Sequence, residues 1–436
     1  MGRTKMPKEL TLAVDSLGGD GHGVGMHGER TIRIKNALPG ETVTARMLKR
    51  RKGEWFGEAR QVDDPARERR RAACAFYPRC GGCAVQHMSY RAQLELKQDG
   101  LTSALAENGV QAERVRDPVH GPRFNYRTKA RFGVRVVNGE VLLGFRESFS
   151  NRVGRMTECL TLTEPLSSLI SPLKTLIASL SIPERIPQVE IAAGDVEEAL
   201  ILRHLDALDA SDLEKIHHFG RRHQVRVYTQ SGGYETVEPA SPGAENPYLG
   251  YRNPDYGLHF HFAPMDFTQV NLAMNLKLVS GAIVGLSAPA GARVLDLFCG
   301  IGNFSLPLAA SGLAVRGLEA AAPAIERARQ NAQYNGLAER CEFAVQDLYD
   351  ADCLNLGQAD YLLLDPPRSG AGPNLLAWLE TTGARRVAYV SCSPKSFAQD
   401  AAVLKQAGFS LEQVGIYDMF PNTAHVETLG IFQRSW

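Results

Sequence analysis

The sequence predicts an α/β protein in which a small β-barrel and a mixed, largely antiparallel central domain precede a doubly wound domain. Its 436 residues are enough for about two to four domains. Short alternating strands with glycine-rich turns occupy the first part, and strand-like runs alternate with alanine-rich helical stretches after about residue 264. These patterns divide the chain into residues 1–63, 64–265 and 266–436.

The first segment has the pattern of a small closed barrel. Residues 31–35 and 41–45 alternate polar and apolar side chains, and the glycines within 18–21 mark a turn between strands. The last strands carry several arginines and lysines beside Trp55 and Phe56. Cations can contact phosphates while aromatic rings stack on bases, so this pattern favours RNA binding, although either ring would also suit a barrel core.

Charge is distributed unevenly along the chain. The total net charge is +1, but residues 1–160 contain 29 basic and 18 acidic residues, and residues 161–436 contain 20 basic and 30 acidic residues. A strongly basic segment on a neutral chain favours contact with nucleic acid over a merely solvated basic face. No window of 18 consecutive apolar residues occurs, so the sequence predicts no membrane span and a cytoplasmic protein.

The central segment begins with a helix and continues with strands. Residues 89–108 have a helical composition that stops at Gly109. The dipeptide 138–139 (Asn-Gly) separates the apolar-rich runs 129–137 and 141–143, which predicts a tight β-hairpin. We therefore expect a mixed, largely antiparallel sheet in this segment.

The third segment predicts a parallel sheet with helices on both faces. Its strand-like runs alternate with helical stretches, and ligands of such sheets bind beyond the carboxyl ends of the strands. The residues that follow each strand are therefore the candidate site residues. The predicted strands are residues 294–297, 314–319, 343–345, 361–365 and 387–390.

A glycine-bearing turn follows the first of these strands. Gly300 and Gly302 let the backbone approach a ligand, and Glu319, which ends the next strand, can accept both hydroxyls of a ribose. The turn lacks the full G-x-G-x-x-G pattern of a pyrophosphate site. Several nucleotide cofactors fit, with S-adenosylmethionine the leading candidate. Asp347 closes the third strand where an adenine would lie, or it caps the following helix.

A thiol and two acids are expected at the same edge of the sheet. Asp365 ends the fourth strand, Cys392 follows the fifth, and Glu427 lies in a later segment that can return to this edge. Uracil C5 becomes nucleophilic when a thiolate adds to C6, and a base must then remove the C5 proton. The alternative, non-catalytic interpretations are that Cys392 is a small buried residue of the core and that Glu427 is a surface carboxylate. Cys299 is a rival nucleophile, but its place in the cofactor turn favours a contact role.

Four further cysteines form a separate pattern. Cys74, Cys80 and Cys83 are spaced C-x5-C-x2-C, and Cys159 follows after a long gap. In a chain expected in the cytoplasm, such a set is more typical of metal binding than of disulfides. Four thiolates suit structural zinc or an iron–sulfur cluster, with spacing alone slightly favouring zinc, and unrelated buried thiols are the third interpretation. The remaining two cysteines, at 341 and 353, are assigned to structure.

Over essentially its whole length, the sequence resembles the RNA uracil-C5 methyltransferases of the TrmA-like family, and within it the RumA/RlmD type that acts on 23S ribosomal RNA. The resemblance implies a Rossmann-like methyltransferase domain, a TRAM-like RNA-binding barrel and S-adenosyl-L-methionine as methyl donor. It makes Cys392 the nucleophile and Glu427 the base. The motifs that carry it are residues 266–271, 294–304, 361–368, 390–394 and 425–427.

The resemblance also implies the other ligands of the site. In enzymes of this type the four cysteines hold a [4Fe-4S] cluster, which reverses the preference for zinc. Four cysteines leave no iron open, so the cluster is expected to be structural or to position RNA. One departure is Ser393, where the family usually has asparagine. The expected cofactor-binding residues are Gln269, Phe298, Gly300, Asn303, Glu319, Asp347 and Asp365, the last also serving catalysis.

The expected partner is 23S ribosomal RNA, with no protein partner and a monomeric chain. Another 23S uridine or the T-loop uridine of transfer RNA are alternative targets. An alternative of another class is a non-catalytic iron–sulfur protein that binds RNA or assists assembly, which would not need Cys392 or Glu427.

Overall fold

The computed structural model describes residues 6–240 and 248–434. Within these ranges, no helix combines the length and apolarity that crossing a membrane requires.

The N-terminal part is one six-stranded sheet in the order β1-β5-β6-β4-β3-β2. The strands at the two ends of this order, β1 and β2, follow each other in the chain, so the sheet curls round on itself like a barrel. Trp55 is 1% exposed in its core, whereas Phe56 is half-buried and packs edge-on against the Phe149 ring at 4.9 Å. The strands are β1 (Glu9–Ala13), β2 (Ser16–Leu17), β3 (Gly23–His27), β4 (Arg30–Lys35), β5 (Thr42–Arg51) and β6 (Glu54–Val62).

The central part contains a sheet in the order β13-β12-β11-β10-β8-β9, in which only the β11–β12 pair is parallel. This confirms a largely antiparallel sheet. The elements are α1 (Tyr90–Glu107), β7 (Ala112–Val115), β8 (Lys129–Val137), β9 (Glu140–Gly144), α2 (Glu164–Ser168), α3 (Ile170–Ser179), β10 (Gln188–Ala193), β11 (Glu198–Arg203), α4 (Ala210–His223), β12 (Val225–Gln230), β13 (Val237–Pro239), and the separate hairpin β14 (Leu249–Asn253) and β15 (Leu258–Phe262).

Two local predictions in this part are confirmed. Helix α1 begins after Ser89, whose hydroxyl accepts a 3.3 Å hydrogen bond from the Ala92 N–H, and it ends before Gly109 at a φ of 66°. The β8–β9 hairpin turns at Asn138 and Gly139, with φ angles of 50° and 78°. Both positive angles are those that an Asn-Gly hairpin turn requires.

The C-terminal part is an eight-stranded sheet in the order β18-β17-β16-β19-β20-β22-β21-β7, parallel from β18 to β20. This confirms the doubly wound α/β domain. The elements are α5 (Leu272–Leu286), β16 (Arg293–Leu297), α6 (Ser305–Ala310), β17 (Ala314–Glu319), α7 (Ala322–Tyr334), β18 (Cys341–Val345), β19 (Tyr361–Leu364), α8 (Leu375–Thr381), β20 (Arg386–Ser391), α9 (Pro394–Gln406), β21 (Phe409–Tyr417) and β22 (Glu427–Arg434).

Residues 90–115, which the sequence pattern groups with the central segment, pack onto this C-terminal sheet. Strand β7 pairs in parallel with β21. Leu101 and Leu105 of α1 are buried in one cluster with Trp378 and Leu404. Burying an apolar helix face stabilises the fold whichever partner covers it, so the sequence pattern could not specify which sheet α1 joins.

Candidate active site

The turn after β16 adopts the positive φ angles that its glycines allow. Gly300 and Gly302 have φ angles of 53° and 89°, and Phe298 also has a positive φ of 66°. A β-carbon on Gly302 would lie 2.4 Å from the Leu306 side chain, whereas open space adjoins Gly300. The Phe298 N–H donates a 2.9 Å hydrogen bond to the Leu318 carbonyl, which holds this unfavourable conformation in place. The turn therefore leaves room for a ligand beside Gly300.

Asp296, within β16, is a buried acid whose role no motif indicated. One carboxylate oxygen accepts a 2.5 Å hydrogen bond from the Ser305 hydroxyl, and the other has no hydrogen-bond partner among the described residues. Burial raises the pKa of Asp296 to about 7. The Ser305 hydrogen bond lowers this pKa, and the Asp365 carboxylate raises it. Because an unsatisfied buried acceptor is costly, a ligand donor that reached this oxygen would be well bound.

Asn303, predicted to bind the cofactor, is oriented by two buried side chains. The Asn275 amide donates a 2.8 Å hydrogen bond to Asn303 Oδ1, and Asn303 Nδ2 donates a 3.0 Å bond back to Asn275 Oδ1. The Tyr251 hydroxyl also donates to Asn303 Oδ1 at 3.3 Å. These partners fix the direction in which the Asn303 side chain faces.

The hairpin that carries Tyr251 is fastened to helix α7 by two asparagines. Asn331 exchanges hydrogen bonds of 2.8 and 3.1 Å with the backbone of His261. Asn335 does the same with the backbone of His259, at 2.9 and 2.7 Å. The two asparagines are four residues apart, so they lie on the same face of the helix, and the two histidines are two apart, so they lie on the same face of the strand. Each asparagine can therefore reach one histidine. The hairpin is thereby tied to the domain that contains the cofactor turn.

Two predicted cofactor residues lie at the ends of neighbouring strands: Glu319 is the last residue of β17, and Asp347 comes two residues after β18. One carboxylate oxygen of Glu319 accepts a 3.0 Å hydrogen bond from the Ala321 N–H. Asp347 is exposed and accepts a 2.9 Å bond from the Tyr349 N–H, and the Tyr349 ring lies 5.7 Å from that of Phe298. Tyr349 therefore links Asp347 to the Phe298 ring, and the cofactor contacts of these residues stay a prediction.

Gln269 lies in the segment between β15 and α5. The Lys129 ammonium of the central sheet donates a 2.6 Å hydrogen bond to the Asp266 carbonyl and holds the start of this segment. Phe267, two residues before Gln269, is 78% exposed. An exposed ring beside a predicted site residue is a candidate stacking surface. Sequence reasoning missed it, although an aromatic residue in a polar turn was the available signal.

Cys392 and Glu427 lie on neighbouring strands. Cys392 directly follows β20, and Glu427 is the first residue of β22, which pairs with β20 so that Ser391 faces Thr428. Asp365 follows β19, the neighbour of β20 on its other side. The structure therefore brings the predicted nucleophile and both predicted acids to one edge of the sheet, next to the turn after β16.

The charges at this edge are coupled. Burial raises the pKa of Cys392, the Glu427 and Asp365 carboxylates raise it further, and the Arg368 guanidinium opposes them. Burial also raises the pKa of Glu427 well above its usual value, with Asp365 contributing. Burial raises the pKa of Asp365 to about 7. The thiol and both acids are thus held towards their neutral forms, with Arg368 as the cation beside them.

Arg368 lies in the loop after β19 and was not among the predicted site residues. Its guanidinium lies 3.3 Å from Nδ1 of His425, two residues before Glu427. Both side chains are exposed. This contact joins the loop after β19 to the segment before β22, and nothing in the spacing of the two residues predicted it.

The segment from Asp418 to Glu427 is held by helix α1. The Lys97 ammonium donates hydrogen bonds of 2.5 Å to Asp418 and 3.0 Å to the Phe420 carbonyl, and the Tyr90 hydroxyl donates at 2.7 Å to Asp418. Both charged side chains of the pair are 0% exposed. Removing one partner would leave an uncompensated buried charge, so this pair fixes the path of the segment.

Ser393, the departure from the family pattern, has a structural role in the loop after β20. Its hydroxyl accepts a 3.3 Å hydrogen bond from the Ser396 N–H and caps helix α9. Serine and asparagine are similarly good N-caps, so the exchange preserves the start of the helix that follows Cys392.

The other cysteines of this domain have no comparable setting. Cys299 is buried, and its sulfur would lie 2.9 Å from a β-carbon on Gly317, so it faces β17 beneath the turn. Cys353 is buried in the core, and Cys341 is half-buried at the start of β18. Among the described cysteines after residue 265, Cys392 is the one whose pKa is raised by Glu427 and lowered by Arg368.

The four cysteines predicted to bind metal line one cavity, which Phe145 and Met156 also line. The Gly82 N–H lies 3.4 Å from the Cys80 sulfur and donates to it. Burial raises the pKa of Cys80 to about 11 and that of Cys83 to about 12, and the neighbouring cysteines add to both shifts. The described residues contain no group of three His, Cys, Asp or Glu that could hold a single metal ion. The cavity is formed by Cys74, Cys80, Cys83 and Cys159 together.

Known proteins match both the fold and the sequence. The structure of the Pyrococcus abyssi tRNA (uracil-54, C5)-methyltransferase in complex with S-adenosyl-L-homocysteine aligns with a TM-score of 0.74 and 22% identity, covering 97% of this chain and 100% of that one. At this identity, the match supports the fold.

Relatives of higher identity extend over the whole chain. A protein of Hahella chejuensis named 23S rRNA (uracil(1939)-C(5))-methyltransferase RlmD is 40% identical, covering 99% of both chains. One of the same name from Bordetella avium is 39% identical, covering 97% of this chain and 90% of that one. A family described as tRNA (Uracil-5-)-methyltransferase matches residues 89–435. Sequence, fold and the arrangement of the site thus agree, and this chain belongs to the tRNA (uracil-5-)-methyltransferase family.

Proposed function

We propose that this enzyme transfers the methyl group of S-adenosylmethionine to C5 of a uridine in 23S ribosomal RNA. The observation that carries the proposal is the position of Cys392 beside Glu427 at the sheet edge next to the glycine-bearing turn. The 23S substrate follows from relatives at about 40% identity over nearly the full length, whose names specify uracil 1939. A cytoplasmic, monomeric protein is expected.

The residues at the edge support a covalent mechanism. The Cys392 sulfur adds to C6 of uracil, the electrons of the C5–C6 double bond move towards the C4 carbonyl, and C5 becomes nucleophilic. Bound S-adenosylmethionine would supply an electrophilic methyl group: the bond from the methyl to the sulfonium sulfur breaks as C5 takes the methyl, and S-adenosylhomocysteine leaves. Glu427 then removes the C5 proton, the double bond re-forms, and the C6–sulfur bond breaks to release Cys392. Arg368 favours the thiolate form of Cys392 at the first and last steps.

The residues around the turn fit the methyl donor. Open space adjoins Gly300, and the unpartnered oxygen of Asp296 is a buried acceptor. Glu319 is suited to the ribose hydroxyls and Asp347 to the adenine, with Phe298, Asn303, Gln269 and Asp365 completing the predicted set. The target base must leave its stack to reach Cys392.

The barrel and the central domain are proposed to hold the RNA, the barrel as a TRAM-like module. Phe56 is half-buried, and the Lys49 ammonium lies 5.6 Å from the centre of its ring. A basic group over an accessible ring supports contact with phosphate and base together.

The four-cysteine cavity is proposed to hold a [4Fe-4S] cluster. Four thiols share a mostly apolar cavity, and a backbone N–H already donates to the sulfur of Cys80. A single zinc ion needs ligands within about 2.3 Å of one centre, whereas a cluster separates its cysteines more widely.

Anaerobically purified protein is expected to contain iron and acid-labile sulfide in equal amounts, with the visible absorption of a cluster. Changing Cys83→Ser should abolish both, because a cavity ligand is lost. The matched control Cys353→Ser removes a buried thiol outside the cavity and should retain them. Stoichiometric zinc in place of iron would contradict the cluster.

The activity itself is tested by mapping 5-methyluridine in the ribosomal and transfer RNA of a deletion strain. Loss of the methyl group from one 23S uridine, restored by the wild-type gene, is expected. Loss from the T-loop of transfer RNA would overturn the proposed substrate, and unchanged methylation of both RNAs would overturn the proposed activity.

A further inference from the structure

A groove lies between helices α3 and α4 on the surface of the central domain, outside the site described above. It encloses about 760 Å³. Its floor is apolar, formed in part by Leu176 and Phe219. Hydroxyl groups of Ser171, Thr175 and Ser179 line the α3 side.

The α4 side of the groove is basic. Residues 215–226 contain four lysines and arginines, three histidines and no acid. This is unexpected in residues 161–436, where acidic residues outnumber basic ones by 10. Glu214 is the acid among the described lining residues. The local charge is therefore opposite to that of the surrounding sequence.

On the α4 side of the groove, Arg221 and Arg222 are the cations most accessible to a ligand. Both are exposed, and neither forms a hydrogen bond or ion pair with another residue in the described part of the chain. Lys215, by contrast, donates a 2.7 Å hydrogen bond to the Ser179 carbonyl and spans the groove. The Ser171 and Ser179 hydroxyls already donate to the carbonyls of Thr157 and Leu176, so the two guanidinium groups are the donors that this surface offers to phosphate oxygens.

The groove opens away from the catalytic edge. Helices α3 and α4 cover one face of the central sheet through Leu173 and Ile216. The hairpin β14–β15, which reaches the cofactor turn through Tyr251, packs on the opposite face with Ile201. A single nucleotide in the active site cannot also contact the groove. Any RNA bound in the groove is therefore a part of the RNA other than the target nucleotide.

We infer that the α3–α4 groove binds the phosphate backbone of RNA remote from the target uridine. This inference rests on the proposed RNA substrate and adds a second contact region to it. Charge complementarity identifies the occupant, because the two guanidiniums and the basic residues of α4 beside them match a polyanion along the groove. An acidic protein is the alternative outcome of the test.

The experiment compares wild-type protein with the double variant Arg221→Gln/Arg222→Gln. Two probes are used, full-length 23S transcript and a short stem-loop containing the target uridine. Affinity for the full-length transcript should fall about 10-fold, and the slope of log affinity against log salt should decrease by about 1.4 for two lost phosphate contacts. Affinity for the stem-loop and its methylation rate should not change.

The matched control is Arg185→Gln/Arg293→Gln, which removes the same charge from two exposed arginines that already face Asp206 and Asp360. It should bind both RNAs like the wild type. Equal affinity of the groove variant and wild type for full-length RNA would overturn the inference. An equal loss of affinity for both RNAs would also overturn the inference, because it would show that the groove does not contact RNA remote from the target uridine. Absence of stem-loop methylation by the wild type would instead refute the proposed function.

Discussion

Changing Cys392→Ala is expected to abolish methylation, with a loss of at least about 10³-fold, because C5 of uracil is not nucleophilic until a thiolate adds to C6. Side chains at the turn after β16 are untouched by this change, so binding of S-adenosylmethionine should be unchanged. Transfer of labelled methyl groups to 23S RNA and calorimetric titration of the cofactor measure the two quantities separately.

The matched control for this variant is Cys341→Ala. Cys341 is a half-buried thiol at the start of β18, the end of the strand opposite to the ligand edge, so its loss should leave methylation near the wild-type rate. Wild-type activity in Cys392→Ala would exclude the covalent mechanism. Activity lost together with cofactor binding would indicate a disturbed fold instead of a missing nucleophile.

Changing Glu427→Gln is expected to trap a covalent complex between protein and RNA. The nucleophile and methyl donor remain, so C6 addition and methyl transfer proceed, but the amide cannot take the C5 proton and Cys392 is not released. A denaturing gel should show a protein band shifted by the RNA. The double variant Cys392→Ala/Glu427→Gln should show none, and a single variant that turns over without an adduct would refute Glu427 as the base.

The pH dependence of this step follows from the burial of Glu427, which is 3% exposed. Burial raises its pKa, with Asp365 contributing, so the fraction present as base and the rate of adduct release should increase as pH rises through the raised pKa. The folded state also loses stability over that range, because ionisation costs more in the protein than in the unfolded chain. Glu427→Gln removes this loss, so its thermal midpoint at alkaline pH should equal or exceed that of the wild type.

Local patterns predicted much of the fold because each depended on few neighbours. The Asn138-Gly139 turn requires positive φ angles that these residues adopt readily, and Ser89 with Gly109 set the ends of α1. The five parallel strands were evident because buried strands are continuously apolar and are bounded by turn residues. Site residues followed, since ligands bind where such strands end.

Assignments that depended on distant contacts could not be made in this way. Trp55 and Phe56 are adjacent and both aromatic, yet the core covers one and leaves the other partly accessible. Asp296 looked like any acid in a strand, and only packing showed that one of its oxygens is buried without a partner. The contact between Arg368 and His425 joins residues 57 apart in the chain, a separation that no short motif spans.

The sequence by itself determined the doubly wound sheet, the glycine-bearing turn, the candidate nucleophile and the grouping of four cysteines, because periodicity and residue type act locally. The tertiary structure alone decided that α1 joins the C-terminal sheet and that its Lys97 holds the segment leading to Glu427. It also decided that two surface helices form a basic groove in an acidic part of the chain. The physical reason is that burial and charge pairing depend on which surfaces meet, and chain order does not fix which surfaces meet.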